Sequence, residues 1–207
     1  MGLYSKILGL PCVYKKIIPY LLGFNGWEVS EIIFNLLTVQ SDDVVVDIGC
    51  GMGIAMEHIH EFHEYHGFDI DRTALTEFRN NYSGNNVFLY ERCFLAEDAI
   101  RIKPTKVFMV GLLHHINDSD AKALFDNISQ SSRLKHILTS DGFYDDKKMN
   151  LNNLLVKLDR GNFVRQITHY KQLLSDNLVI KKELILPVGY WYKAYIMVID
   201  NVDKKGS

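Results

Sequence analysis

The stretch Val44-Val45-Val46-Asp47-Ile48-Gly49-Cys50-Gly51-Met52-Gly53 decides how this chain is read. Three β-branched residues in a row favour a buried strand, an acid stands at its end, and three alternating glycines open the turn that follows. Glycines at 49, 51 and 53 remove every Cβ where the chain must turn tightly, and let a ligand approach the backbone. A helix after the turn, expected over Ile54–Tyr65, would aim its free N–H groups at that ligand. The pattern predicts a nucleotide-type cofactor site.

The details of the turn discriminate between cofactors. The dinucleotide fingerprint Gly-x-Gly-x-x-Gly/Ala would place its last small residue at position 54, which is Ile54. An acid at Asp47, two residues before the first glycine, would repel a pyrophosphate and attract an ammonium group. The Asp47-x-Gly49-x-Gly51-x-Gly53 run closely resembles motif I of class I S-adenosylmethionine-dependent methyltransferases. That resemblance implies that Asp47, Gly49, Cys50, Gly51 and Gly53 form part of the S-adenosylmethionine site.

Outward from the turn, strands and helices alternate. Helical spacing marks Glu28–Leu37. Strands are expected at Val44–Asp47, His66–Asp69, Val87–Tyr90, Lys106–Val110 and His136–Thr139. Asp71 is a plausible N-cap for a helix bearing Leu75, Phe78 and Tyr82, and Asp118 or Ser119 for one bearing Leu124, Phe125 and Ile128. Helical stretches near Leu151–Leu158 and Thr168–Leu174 precede two apolar strands, Leu178–Leu186 and Lys193–Ile199. This order predicts an α/β fold with a doubly wound, mostly parallel seven-stranded Rossmann-like sheet and a C-terminal antiparallel hairpin. Class I methyltransferases end in such a pair, so the resemblance covers roughly Tyr14 to Asp200. A single domain over residues 1–203 is expected, with an N-terminal helical lid over about 1–40 and a disordered tail at 204–207.

Further candidate residues follow the strand ends. Asp69 lies twenty residues after Gly49, where a carboxylate can accept both ribose hydroxyls of an adenosine. Gly67-Phe68-Asp69-Ile70-Asp71 resembles motif II of the methyltransferases, which implies that Asp69 holds the ribose and Ile70 packs on the adenine. After strand 3 many members carry an acid for the adenine amino group. Cys93 stands there unless the register shifts to Glu91, and Phe94 could stack. By the same resemblance, Gly111 in Gly111-Leu112-Leu113-His114-His115-Ile116 offers its carbonyl to the cofactor amino group. An imidazole near neutrality can take a proton from a hydroxyl or amine, which makes His114 or His115 the candidate base, His114 ahead, the other being structural. The Leu-Leu-His-His segment, with Asp159-Arg160-Gly161 and Arg165, resembles a subgroup of small bacterial methyltransferases. Arg160 and Arg165 either clamp an anionic acceptor or pair with Asp159 to pin the loop. Tyr14 either covers the cofactor or packs.

Composition narrows the partners. The 207 residues carry a net charge of −2, which gives no global attraction to nucleic acid or anionic membranes. Cys12, Cys50 and Cys93 form no Cys-x-x-Cys pair and read as free thiols of a cytoplasmic protein. The apolar run Ile7–Phe24 is broken by Pro11, Lys15, Lys16 and Pro19, so no stable membrane insertion is expected. Histidines 58, 60, 63 and 66 have no standard ligand spacing, and no metal is expected. With no Asn/Asp/Ser-Pro-Pro-Tyr/Phe motif after strand 4, nucleobase methylation by that route is disfavoured. The expected activity is methyl transfer to a small molecule, with oxygen favoured by the histidine pair; the oligomeric state is left open. The rival readings are a non-catalytic cofactor-binding subunit working through a partner, and a nicotinamide-dependent oxidoreductase.

Overall fold

The computed structural model describes residues 26–145, 151–158, 161–188 and 192–202. Tyr14, Asp159, Arg160, the part of the expected lid up to residue 25 and the tail at 204–207 lie outside the described residues. Along the chain come α1 (Gly26–Asn35), β1 (Val44–Ile48), β2 (Glu64–Asp69), α2 (Arg72–Asn81), β3 (Val87–Glu91), α3 (Ala96–Ile102), β4 (Lys106–Val110) and α4 (Asp118–Ser129). Then follow β5 (His136–Tyr144), α5 (Leu151–Leu158), β6 (Arg165–Gln166), α6 (Ile167–Lys171), β7 (Leu178–Pro187) and β8 (Lys193–Asn201). Single 3₁₀ turns occupy Ile54–Glu57 and Leu113–His115.

Seven strands lie in the order β3-β2-β1-β4-β5-β8-β7, and the two-residue β6 pairs with the end of β5. The first five are parallel; β8 runs antiparallel to β5, and β7 antiparallel to β8. This is the expected α/β Rossmann-like sheet with its C-terminal hairpin. Every residue of β1 is buried, because a central strand of a parallel sheet has helices on both faces. Val46, Ile48, Phe68, Val107 and Met109 point to one layer with Ala99, Leu124, Phe125 and Ile128. Val45, Tyr65, Phe108 and Leu138 point to the other, with Ile33, Phe34, Leu75 and Phe78.

Helix α4 buries Ala121, Leu124, Phe125 and Ile128, the i, i+3, i+4, i+7 stripe that an amphipathic helix turns to a sheet. Its cap is Asn117, one residue earlier than expected; the Asn117 side chain accepts the Asp120 amide at 2.9 Å. Asp71 caps α2 as expected, accepting from the amides of Thr73 and Ala74. Helix α3 had not been expected; Asp98 in its first turn accepts from the Leu95 amide and from Arg92 and Arg101.

The first crossover differs most from expectation. No α-helix spans Ile54–Tyr65: one 3₁₀ turn ends at Glu57, and the chain runs on irregularly to β2. Only ten residues, Ile54 to His63, separate the glycine turn from β2, fewer than the dozen or more a parallel crossover ordinarily uses. A helix of that length would leave no residues for the turns at its two ends. The His63 amide bonds instead to the Asp43 carbonyl, and the Asn86 side chain to the His63 carbonyl. His60 and His63 therefore share no helix face. Among the described residues no group of three His, Cys, Asp or Glu could hold a metal ion.

Candidate active site

All three glycines of the turn have left-handed backbone angles, with φ of 77° at Gly49, 53° at Gly51 and 89° at Gly53, a region that side chains with a Cβ rarely enter. Their surroundings differ. A Cβ at Gly53 would lie 2.7 Å from the Phe78 ring, whereas one at Gly51 would meet nothing within 4 Å. Gly53 is glycine for packing as well as angle; Gly51 opens on space.

The turn does not present a row of free amides. The N–H groups of Gly49 and Cys50 both donate to the Phe68 carbonyl, at 2.7 and 3.1 Å, and that of Gly53 to the Cys50 carbonyl. The Gly51 amide donates to Asp69 Oδ2 at 2.8 Å, and the Asp71 amide to Asp69 Oδ1 at 2.8 Å. The expected helix N-terminus, with donors aimed at a ligand, is thus replaced by a turn that satisfies its amides internally. Asp69 is fixed by the turn at the end of β2. Each of its oxygens accepts one of these bonds, and a carboxylate has about four lone-pair sites, so further donors can be accepted.

Asp47 was expected to face the ligand. It is only 4% exposed, and the Tyr65 hydroxyl donates to its Oδ2 at 2.6 Å. Burial pushes its carboxyl up to about 7; the Tyr65 bond opposes the rise and the nearby charge of Asp69 adds to it. Cys50 is buried with its sulfur against Gly67, and burial raises its thiol. Its side chain belongs to the core rather than to the ligand face. Phe94 likewise is not available for stacking: it is 3% exposed and meets Phe68 edge-on at 5.1 Å. Cys93 is exposed beside it, and Ile70 is 76% exposed next to Asp69.

At the end of β4, Gly111 takes a φ of 70° and donates its amide to the Ser140 carbonyl. The 3₁₀ turn that follows separates the two histidines. His115 is exposed and His114 is 7% exposed, with their rings 4.1 Å apart. His114 meets Asp141, a residue the sequence reading missed. Asp141 Oδ1 accepts the His114 amide at 3.2 Å and lies 2.7 Å from its Nδ1. An oxygen already accepting the amide is an acceptor for the ring as well, so Nδ1–H donates and the tautomer is set. Burial raises the Asp141 carboxyl and the imidazole opposes that rise. A signal existed, because Asp141 lies on β5 near the carboxyl ends of central strands, where open α/β sheets collect ligands.

Arg165 does not reach outward as an acceptor clamp. It is 6% exposed, and its guanidinium bonds Asp118 and the carbonyls of Leu113, Ile116 and Phe163. Four of its five donors are thereby committed within the fold.

Comparison with known proteins agrees with this geometry. Residues 45–134 match the family model described as a methyltransferase domain. No curated protein matches the chain. Among solved structures, geranyl diphosphate C-methyltransferase from Streptomyces coelicolor is similar at 13% identity, with a TM-score of 0.65 over 85% of this chain and 76% of that one. A SAM-dependent methyltransferase from Anabaena variabilis gives 17% identity and a TM-score of 0.60, covering 84% of this chain and 83% of that one. The mitomycin 7-O-methyltransferase MmcR gives 15% and 0.65, covering 96% of this chain and 60% of that one. The chain therefore shares its α/β Rossmann-like fold with these methyltransferase structures, and residues 45–134 are similar to a methyltransferase domain.

Proposed function

We propose that this enzyme transfers a methyl group from S-adenosylmethionine to an oxygen of a small-molecule acceptor, with His114 taking the acceptor's proton. The observation that carries the reading is the 2.7 Å contact between His114 Nδ1 and the buried Asp141 carboxylate. A carboxylate on Nδ1 holds the imidazole in the tautomer whose Nε2 is the basic nitrogen, and stabilises the cation that forms when Nε2 takes a proton. Methyl transfer to carbon or to a neutral amine needs no such pair before the bond forms, whereas a hydroxyl must lose its proton.

The residues present fit the cofactor. The open space over Gly51 is a cradle that a side chain would fill. Asp69 would hold the ribose hydroxyls, exposed Ile70 would cover one face of the adenine, and the Gly111 carbonyl would accept from the amino group. Asp47, beneath the turn, would contribute negative charge without direct contact. S-adenosylmethionine when bound supplies a methyl group already activated on a sulfonium. The chain's own contribution is alignment, exclusion of water and removal of one proton. Tyr14 and Arg160, outside the described residues, remain proposed as cover for the cofactor and as an acceptor contact. Arg165 is withdrawn from that role by its internal bonds. A cytoplasmic location follows the cysteine reading, and among the described residues no helix is long and apolar enough to cross a membrane.

The test is turnover of radiolabelled S-adenosylmethionine across a panel of hydroxyl, amine and carbon acceptors. Hydroxyl acceptors should be methylated with a rate that rises with pH through the imidazole range. His114→Asn should lower turnover by ~10²–10⁴-fold, the usual worth of a general base, with little change in cofactor affinity. A folded His114→Asn enzyme with normal turnover would remove the base assignment.

A further inference from the structure

The turn that carries His114 is gripped from outside by the loop leading into β6. Arg165 Nε donates to Asp118 Oδ1 at 2.7 Å, Nη1 to the carbonyls of Leu113 at 2.5 Å and Phe163 at 2.9 Å, and Nη2 to the Ile116 carbonyl at 2.7 Å. Leu113 and Ile116 stand immediately before and after the histidine pair, so one planar group holds the chain on both sides of it. The same loop makes a second contact, because the Phe163 amide donates to the His114 carbonyl at 2.9 Å. It makes a third at Gly161, where a Cβ would run into His114 Cδ2 and lie 2.8 Å from the His114 carbonyl oxygen. Closeness to His114 excludes a side chain there.

A loop that needed only tethering would be served by the Arg165–Asp118 pair, whose carboxylate is largely exposed. Three of the four guanidinium bonds go instead to backbone carbonyls, two of them in the turn that carries His114. A lysine has three donors on a flexible stem and cannot reproduce a planar fork of that kind. With Asp141 holding Nδ1 and Gly161 against Cδ2, the ring is bounded from two directions.

We propose that the Gly161–Arg165 loop sets the position of the His114 imidazole against Asp141, whose bond to Nδ1 fixes the tautomer, with Arg165 a positioning residue for proton removal. The proposal rests on reading His114 as the base. It assigns Arg165 no contact with acceptor or cofactor.

The experiment is ¹⁵N nuclear magnetic resonance of the full chain labelled at histidine, with and without S-adenosylhomocysteine, on the wild type, Arg165→Lys and Gly161→Ala. His114 in the wild type should show a single tautomer protonated at Nδ1. In both variants that signature should give way to exchanging tautomers, while calorimetry shows S-adenosylhomocysteine affinity unchanged. Gly161→Ala keeps every Arg165 bond partner and displaces the ring directly, so it answers the question even where Arg165→Lys fails to fold. A wild-type His114 signature retained in folded Gly161→Ala would overturn the proposal. The two readings fail separately. If His114→Asn turns over normally while the loop variants still shift the His114 signals, the base assignment falls and the positioning holds. If His114→Asn is slow and the loop variants leave those signals unmoved, the positioning falls.

Discussion

Asp47→Asn should change how the stability of the free protein depends on pH. The carboxyl is 4% exposed and its pKa is raised from 3.8 to about 7, chiefly by burial. In the unfolded chain it titrates near 3.9. Between those values the folded protein holds a proton that the unfolded chain has released, so stability falls as pH rises, by roughly 1.4 kcal/mol per pH unit. From pH 4 to pH 7 the loss sums to about 3 kcal/mol, and the contribution flattens about one unit above 7. Neighbouring groups leave the window clear: burial raises the Tyr65 hydroxyl and the Cys50 thiol, so both stay protonated throughout it. Asparagine can still accept from the Tyr65 hydroxyl, and its own burial adds an offset that does not vary with pH. The quantity to measure is therefore the difference in unfolding free energy between wild type and Asp47→Asn, by urea titration at several pH values. That difference should move steadily against the wild type from pH 4 to pH 7. A flat difference would mean that Asp47 is ionised in the folded protein at acid pH, and the argument from burial would fail. A cationic cofactor nearby should favour the ionised form, so binding near pH 6.5 should release protons, visible as a buffer-dependent calorimetric enthalpy.

Three further outcomes are expected. Asp69→Ala should weaken S-adenosylhomocysteine binding by ~1.5–3 kcal/mol, the range for hydrogen bonds to a charged group, and calorimetry showing unchanged affinity in a folded variant would remove Asp69 from the site. The two turn glycines should separate by mechanism: Gly51→Val should abolish cofactor binding in a folded protein, whereas Gly53→Ala, driven into Phe78, should show its main loss in the melting temperature. S-adenosylhomocysteine should raise the melting temperature and NADH should not; the reverse would restore the oxidoreductase reading.

What was legible in the sequence is what depends on local pattern. Val44–Ile48 had to be a buried strand because its run of β-branched residues suits a position covered on both faces, and Lys106–Val110 was placed to the residue. The need for glycine at 49, 51 and 53 was readable because left-handed angles leave few alternatives. Asp71 as a cap was readable from its place before a helical stripe. The crossover after Gly53 was not, since periodicity alone does not count the residues required to return to the next strand. Its histidines and apolar residues matched a helical spacing that the ten-residue link cannot use.

The candidate site divides along the same line. Asp69, Gly111 and His114 could be named as candidates because each lies at or shortly after a strand's carboxyl end, and the parallel topology brings such ends together. Asp141 was missed because β5 runs on to Tyr144, five residues beyond the expected end, which brings residue 141 level with the turn after β4. For Arg165 the sequence left an anion clamp and a loop-pinning ion pair both open; in the fold its partners are Asp118 and three carbonyl oxygens. A guanidinium serves either purpose with the same five donors, so residue type cannot separate them. Burial can: a buried arginine needs acceptors from the fold itself, and here two of the four flank the histidine pair. The same chemistry that removes Arg165 from the acceptor site ties it to His114.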